Sequence, residues 1–426
     1  MRESVKLFPS FKNKFFVISL FFGLASRLIL MTITLHPDLL GHAFSSYFLA
    51  YEGKWNLYET LANLSQDHPL VKNFGVSDVF IYPPLAYYTL GFFRLLTKPF
   101  TNADFIPWLW ENLGRLREFP GFQKEIFWLK FPYLFFDIGL AFLLAGCFSE
   151  EKKKKQAFIL WLFNPLTLYA TFMIGQIDIL ATFFTVLALF LFTRKKNSLA
   201  AFFIGIGASY KMYPLFLLFP LAFLARDIFW ERVKIILVGV FPFIFFMAPY
   251  LNSPAFRAMV LFSPKSQKML FMGWPVSGAE VVYPFVIAVA LICFYAYYSC
   301  KKIDLSIYFI AILLATYSVT HFHPQWFLWV TPFLIWELVE DEFKNWFLIS
   351  VIFACWLVIT LFFEPSLSYG LFNPLWPSLD KAIGLSEIVG KYANVFQLKS
   401  LVRSFLAAAS TFLVIKLFFE RKPDEV

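Results

Sequence analysis

Residues 15–35 read FFVISLFFGLASRLILMTITL, an unbroken apolar run but for a single charge at Arg27. That length crosses the hydrocarbon core of a bilayer, which takes about 20 mostly apolar residues in a helix. Arg2, Lys6, Lys12 and Lys14 precede the run as the basic end of a signal peptide would. A signal peptide's apolar region is shorter and uncharged, so the run reads as a retained anchor with its N-terminus inside.

The rest of the chain has the same character. Of 426 residues, 59% are hydrophobic, 21% aromatic and 15% charged, against about 25% charged in an ordinary soluble domain. Separate water-soluble domains are excluded, and one polytopic all-α membrane unit spanning residues 1–426 is expected. The net charge of +9 would suggest nucleic acid in a soluble protein; here cytoplasmic loops account for it, and no nucleic-acid partner is expected. Cys147, Cys293, Cys300 and Cys355 lie in or beside apolar segments with no CxxC spacing, which reads as packed thiols rather than a disulfide framework or metal site.

The basic clusters orient the chain. Lys152 to Lys155, Arg194 to Lys196, Arg226 to Lys234, Lys301 with Lys302, and Arg421 with Lys422 should all be cytoplasmic. Spans consistent with them cover residues 15–35, 126–148, 157–173, 178–193, 199–211, 212–226, 233–250, 281–299, 304–320, 325–338, 344–363 and 399–419. That gives about 12 crossings with both termini cytoplasmic. Several are short, notably the pair dividing at Lys211, where broken or half-length helices are expected. The segment Tyr82 to Leu96, YPPLAYYTLGFFRLL, would break this parity by crossing once. It is therefore placed on the outer surface as an amphipathic or re-entrant helix begun by its Pro pair. Residues 36–125 then form one long extracytoplasmic region, and residues 364–398 a second outer loop.

With this topology five polar motifs share the outer face: HPDLLGH (36–42), YPP (82–84), GQID (175–178), KMYP (211–214) and HFHPQW (321–326). A site built there sits at lipid head-group depth, which points to a lipid-linked substrate. Asp38 and His42, four apart, share a helix face; Asp38 is placed to accept a proton, or to cap a helix beside interfacial histidines. Asp178 opens a span, where a helix N-terminus also favours negative charge. Lys211 and Arg27 are costly intramembrane cations, so each binds a phosphate or carboxylate, or serves a structural ion pair. Lys130 and Asp137, seven apart, face one way and admit substrate contact or mutual pairing. His321 and His323 with Gln325 and Trp326 make a polar aromatic rim without the ligand set of a metal site.

The order of an acidic residue soon after the first span, YPPL, NPL (164–166) followed by GQID, KMYPLFLLFP (211–220) and HPQWFLWVTPF (323–333) resembles the GT-C superfamily of membrane glycosyltransferases over residues 15–340. Within it the pattern is most similar to polyprenyl-phosphate-mannose-dependent mannosyltransferases, such as the catalytic subunit of GPI mannosyltransferase I and its bacterial and archaeal relatives. The resemblance implies a GT-C-like fold and inverting transfer of a sugar, mannose in the nearest cases, from a polyprenyl-phosphate donor. The acceptor is a hydroxyl of a glycan or lipid at the extracytoplasmic face of the cell membrane, and no nucleotide sugar or other cofactor is needed. Asp38 matches the first-loop general base. The family's acidic site is often a paired or DxD-like run, whereas Asp38 stands alone between His36 and His42, so a divalent metal is neither required nor excluded. Glu52, Asp67 and Asp78 are reserve carboxylates. Arg27 and Lys211 are assigned to the leaving phosphate, with His42, Tyr82, Lys130, Gln176, Asp178, Tyr213, His321, His323 and Gln325 lining the substrate site. A transporter or flippase of lipid-linked sugars is the alternative, but it would need polar groups on both faces and usually repeated halves. Oligomeric state is not legible.

Overall fold

In the computed structural model, residues 13–76, 79–299 and 303–420 are described. The expectations placed on Arg2, Lys6, Lys12, Asp78, Cys300, Lys301, Lys302, Arg421 and Lys422 lie outside them. The chain is almost wholly helical. Helix α1 (Lys14–Ile33) starts where the Asn13 side chain accepts the Phe15 N–H, a standard N-cap. An extended stretch leads to α2 (Asp38–Ala50), with Pro37 just before its first residue. Short helices follow up to α3 (Pro84–Thr97), which has Pro84 at its first position, where a missing N–H costs nothing. Then come α4 (Phe122–Gly146), α5 (Glu151–Leu162), α6 (Asp178–Phe192), α7 (Asn197–Ala208), α8 (Pro214–Ala225) and α9 (Phe229–Met247). The chain ends with α10 (Pro284–Tyr298), α11 (Leu305–Val319), α12 (Thr331–Glu340), α13 (Trp346–Leu361) and α14 (Val395–Glu420). The strands among the described residues are one hairpin, β1 (Trp274–Ser277) and β2 (Glu280–Val282).

The expected apolar stretches are helical, but their lengths alter the count of crossings. By length and composition four helices can span a bilayer: Lys14–Ile33, Phe122–Gly146, Phe229–Tyr250 and Val395–Glu420. A fifth arises if α5 and Pro165–Ile174, bent by 41°, act as one span. Six further apolar helices, α6, α7, α8, α10, α11 and α13, are shorter; at 1.5 Å per residue the 12 residues of α7 or α8 rise only about 18 Å, against about 30 Å of hydrocarbon. By length and composition four or five spans are shown, and the 12 expected crossings are not confirmed. Phe241 and Phe245 on α9 and Phe405, Phe412 and Phe419 on α14 are exposed. Such surfaces suit lipid rather than water.

Buried charge pins the bundle. Arg27 of α1 donates through Nε to Asp137 Oδ2 of α4 at 2.5 Å, and through NH1 to the carbonyls of Gly23 and Leu162 at 2.8 and 2.9 Å. Trp161 Nε1 of α5 donates to Asp137 Oδ1 at 3.0 Å. Three helices thus meet at one fully buried pair, where the low local dielectric strengthens the attraction. Close packing elsewhere rests on glycine: a Cβ on Gly205 of α7 would come within 2.0 Å of the Gly239 carbonyl oxygen of α9.

Candidate active site

Three chain breaks build one cavity of about 810 Å³, two lining it and one bracing its wall from behind. The first is the N-terminus of α2. Asp38 occupies its first turn, with its backbone N–H donating to His36 Nδ1 at 3.2 Å, so that nitrogen carries no proton. His36 therefore acts as a cap, and the 3.7 Å approach to Asp38 Oδ1 is no ion pair. One turn on, His42 also reaches the cavity, its Nδ1 3.1 Å from the Tyr133 hydroxyl and its ring 5.7 Å from that of Tyr82. Burial pushes the His42 pKa down to about 4, so the imidazole is neutral near pH 7.

The second break is GQID. A π-helical turn, Leu168–Ile174, ends at Gly175 with φ of 81°, a left-handed conformation glycine adopts freely. A Cβ there would also press on Leu39 at 3.0 Å. The turn aims Gln176 at α2, where its Nε2 donates to Asp38 Oδ2 at 2.5 Å. Two residues later Asp178, fully buried, opens α6.

The third break lies between α7 and α8. Lys211 Nζ is 2.7 Å from both carboxylate oxygens of Asp178, and Trp329 Nε1 donates to Asp178 Oδ1 at 2.5 Å. The ammonium lies over Tyr82, Trp326 and Trp329 at 5.2, 5.8 and 5.4 Å from their centroids. Tyr213, Trp329 and Trp326 form a ladder, with stacked centroids at 4.1 and 4.9 Å. Lys268 completes the wall: Nζ hydrogen-bonds His323 Nε2, and Lys265 stands close by. Burial and then the adjoining Lys265 and Lys211 lower the Lys268 pKa. Burial and then Lys268 lower that of His323 to about 3, so neutral His323 accepts from the ammonium.

Of the expected residues, Asp38, His42, Tyr82, Lys211, Tyr213, His323 and Gln325 line this cavity. Gln176 and Asp178 stand behind the wall, holding Asp38 and Lys211. Two assignments are corrected. Arg27 is spent on Asp137, and Lys130 donates to the Thr34 carbonyl at 2.6 Å and its hydroxyl at 3.1 Å rather than to Asp137. Both cations are fully buried away from the cavity, so neither meets a phosphate there. His321 lies beside His323, with centroids 5.8 Å apart, but does not line the cavity. Glu52 and Asp67 are exposed elsewhere. Asp38 is the sole carboxylate on the wall among the described residues. No group of three or more His, Cys, Asp or Glu able to hold a metal ion occurs among them.

Lys265, Lys268 and Trp329 were not anticipated. A signal for the lysines exists: residues 251–283 carry Arg257, Lys265 and Lys268 against the single acid Glu280, on the side assigned away from the basic clusters. Cations that oppose the positive-inside bias need another reason to be there.

Residues 138–317 match the model of glycosyltransferase family 87. The match covers less than half the chain and takes in Gln176, Asp178, Lys211, Lys265 and Lys268, while Asp38 and His323 lie outside it. With the apolar helices it supports a membrane glycosyltransferase. No curated protein matches the chain.

Proposed function

We propose that the protein transfers a sugar, mannose in the first instance, from a polyprenyl-phosphate donor to a hydroxyl of a lipid-linked or cell-envelope acceptor at the extracytoplasmic face, with inversion. One observation carries this reading: a single carboxylate, oriented by a buried amide, faces three lysines across a cavity of about 810 Å³. The acceptor oxygen attacks the anomeric carbon as Asp38 takes its proton. The bond from that carbon to the phosphate oxygen breaks, and the phosphate leaves with the electron pair.

A hydroxyl is a poor nucleophile until a positioned base accepts its proton, a contribution of about 10²–10⁴ in rate. The leaving phosphate needs cations where its charge grows. Lys268, with Lys265 beside it on the cavity wall, supplies that charge in this reading, and Lys211, paired with Asp178, fixes the floor. Trp326 offers an aromatic face to the sugar. Gln325 Oε1, buried without a hydrogen-bond partner, suits a sugar hydroxyl donor. Met212, Leu215, Phe216 and Phe285 give the cavity an apolar side fit for a polyprenyl chain.

The test is a transfer assay in detergent with radiolabelled polyprenyl-phosphate-mannose and mixed membrane glycolipid acceptors, wild type beside Asp38→Asn. Label reaching a new product with the wild type alone supports donor and base together. Full activity in Asp38→Asn removes the base assignment; no transfer from mannose, glucose or arabinose donors removes the reading.

A further inference from the structure

The segment joining α9 to α10 ends in an exposed two-stranded hairpin. Trp274 pairs with Val282, Pro275 with Val281 and Ser277 with Glu280, and every residue of both strands is exposed. Val276 is 65% exposed and Trp274 54%, with Phe271 at 58% and Met272 at 43% just before them. Residues 269–283 carry one charge, Glu280. A lone two-stranded hairpin is marginal in water, and an apolar one in water is an aggregation hazard.

Its surroundings supply the missing partner. Along the chain, exposed apolar residues recur at Leu251 after α9 and, directly after the hairpin, at Val286, Ile287 and Leu291 of α10. Phe241, Ile244 and Phe245 carry the same surface along α9, a helix long and apolar enough to span the bilayer. The hairpin thus runs directly into the exposed apolar face of α10, a surface that suits lipid. Its depth is limited by its backbone: both outer strand edges leave N–H and C=O groups unpaired, which hydrocarbon does not tolerate and the head-group layer does. Tryptophan prefers that layer.

We propose that residues 271–282 form an arm inserted into the interfacial layer of the bilayer, with lipid head groups and upper acyl chains as its partner. The arm sits between two parts of the cavity wall, Lys265 to Leu270 before it and Phe285 with Val286 after it. Ser266 Oγ donates to the Val260 carbonyl at 2.6 Å, and Phe285 packs edge-on against Phe216 at 5.1 Å, so both roots are tied down. Insertion sets Lys265 and Lys268 at head-group depth, beside the cavity's apolar side.

The experiment needs no catalytic activity. Val276→Cys, in a chain with Cys147, Cys293, Cys300 and Cys355 replaced by serine or alanine, is labelled with a polarity-sensitive fluorophore. The protein is reconstituted into phosphatidylcholine and phosphatidylglycerol vesicles containing lipids spin-labelled near the head group or at mid-chain. The expected result is blue-shifted emission, lost to the shallow quencher more than to the deep one, while a label at Asp67→Cys keeps water-like, unquenched emission. Water-like emission at position 276, stronger quenching at mid-chain, or blue-shifted emission that neither lipid quenches, as a protein partner would give, each overturns the proposal. To separate the arm's own insertion from the dye's, a label at Gly278→Cys is compared with and without Val276→Asp and Val281→Asp. Quenching should disappear with the aspartates; its persistence overturns the proposal.

Discussion

Replacing either partner of the Lys211 and Asp178 pair should cost far more than replacing both. At 2.7 Å and an effective dielectric of about 20, their gross attraction is about 6 kcal/mol. Desolvating two ions cancels several kcal/mol of that, since Asp178 is fully buried and Lys211 only 11% exposed. The net worth of the pair is therefore small, while a lone survivor is a buried uncompensated charge. Lys211→Met strands the carboxylate with only Trp329 Nε1 as donor, and Asp178→Asn strands the ammonium among aromatic faces. Each single change should cost about 3–5 kcal/mol. The double variant should cost far less than either, so the coupling in the cycle should be at least about 3 kcal/mol. The assay is equilibrium unfolding of the four proteins in mixed micelles on raising the denaturing detergent fraction, followed by tryptophan fluorescence. Costs that simply add would refute the reasoning, because Lys211 would then be held by something other than Asp178.

Lys268→Met should raise the donor KM in the transfer assay at least tenfold, the scale of one charge-assisted contact of about 1.5–3 kcal/mol, with little change in unfolding. Gln176→Ala should lower kcat by about 10-fold to 100-fold with donor KM nearly unchanged, as expected when a hydrogen bond of about 1–3 kcal/mol that aims the base is lost; Gln176→Glu should not rescue it. Arg27→Met should destabilise the protein by about 3–5 kcal/mol through the stranded Asp137, read as unfolding in micelles, with donor KM unchanged in the folded fraction. Stability should also fall in acid. His42 and His323 have folded pKa values of about 4 and about 3, below the ordinary 6.5, so the unfolded chain binds more protons across that window. Their contribution is complete above about 6.5 and is lost as pH drops toward 4 and 3; His323→Gln should flatten that acid limb in unfolding measured against pH.

Much of the site was readable because each motif sits at a break in an apolar stretch, where a polar residue has a local reason to appear. GQID shows this well: glycine ends the preceding turn, and the next two polar side chains point to different partners. Those partners were not readable. Gln176 reaches Asp38 across 138 residues and Trp329 reaches Asp178 across 151, and no local spacing encodes such meetings. Lys130 and Asp137 share a helix face, yet Asp137 turns to Arg27 on another helix, because a bundle offers each side chain neighbours from several elements.

Composition and the spacing of charges alone determined that this chain is a helical membrane protein, and the order of its motifs determined the resemblance to membrane glycosyltransferases. Both are properties summed along the chain, insensitive to where any one side chain points. Tertiary structure alone decided that Arg27 and Lys130 bond away from the cavity, that Lys211 pairs with Asp178, and that Lys265 and Lys268 join it on the cavity wall. What a buried cation such as Arg27, Lys130 or Lys211 bonds to depends on the carboxylate or carbonyl that packing brings within about 3 Å of it, and in low dielectric that one contact outweighs any preference carried by the local sequence.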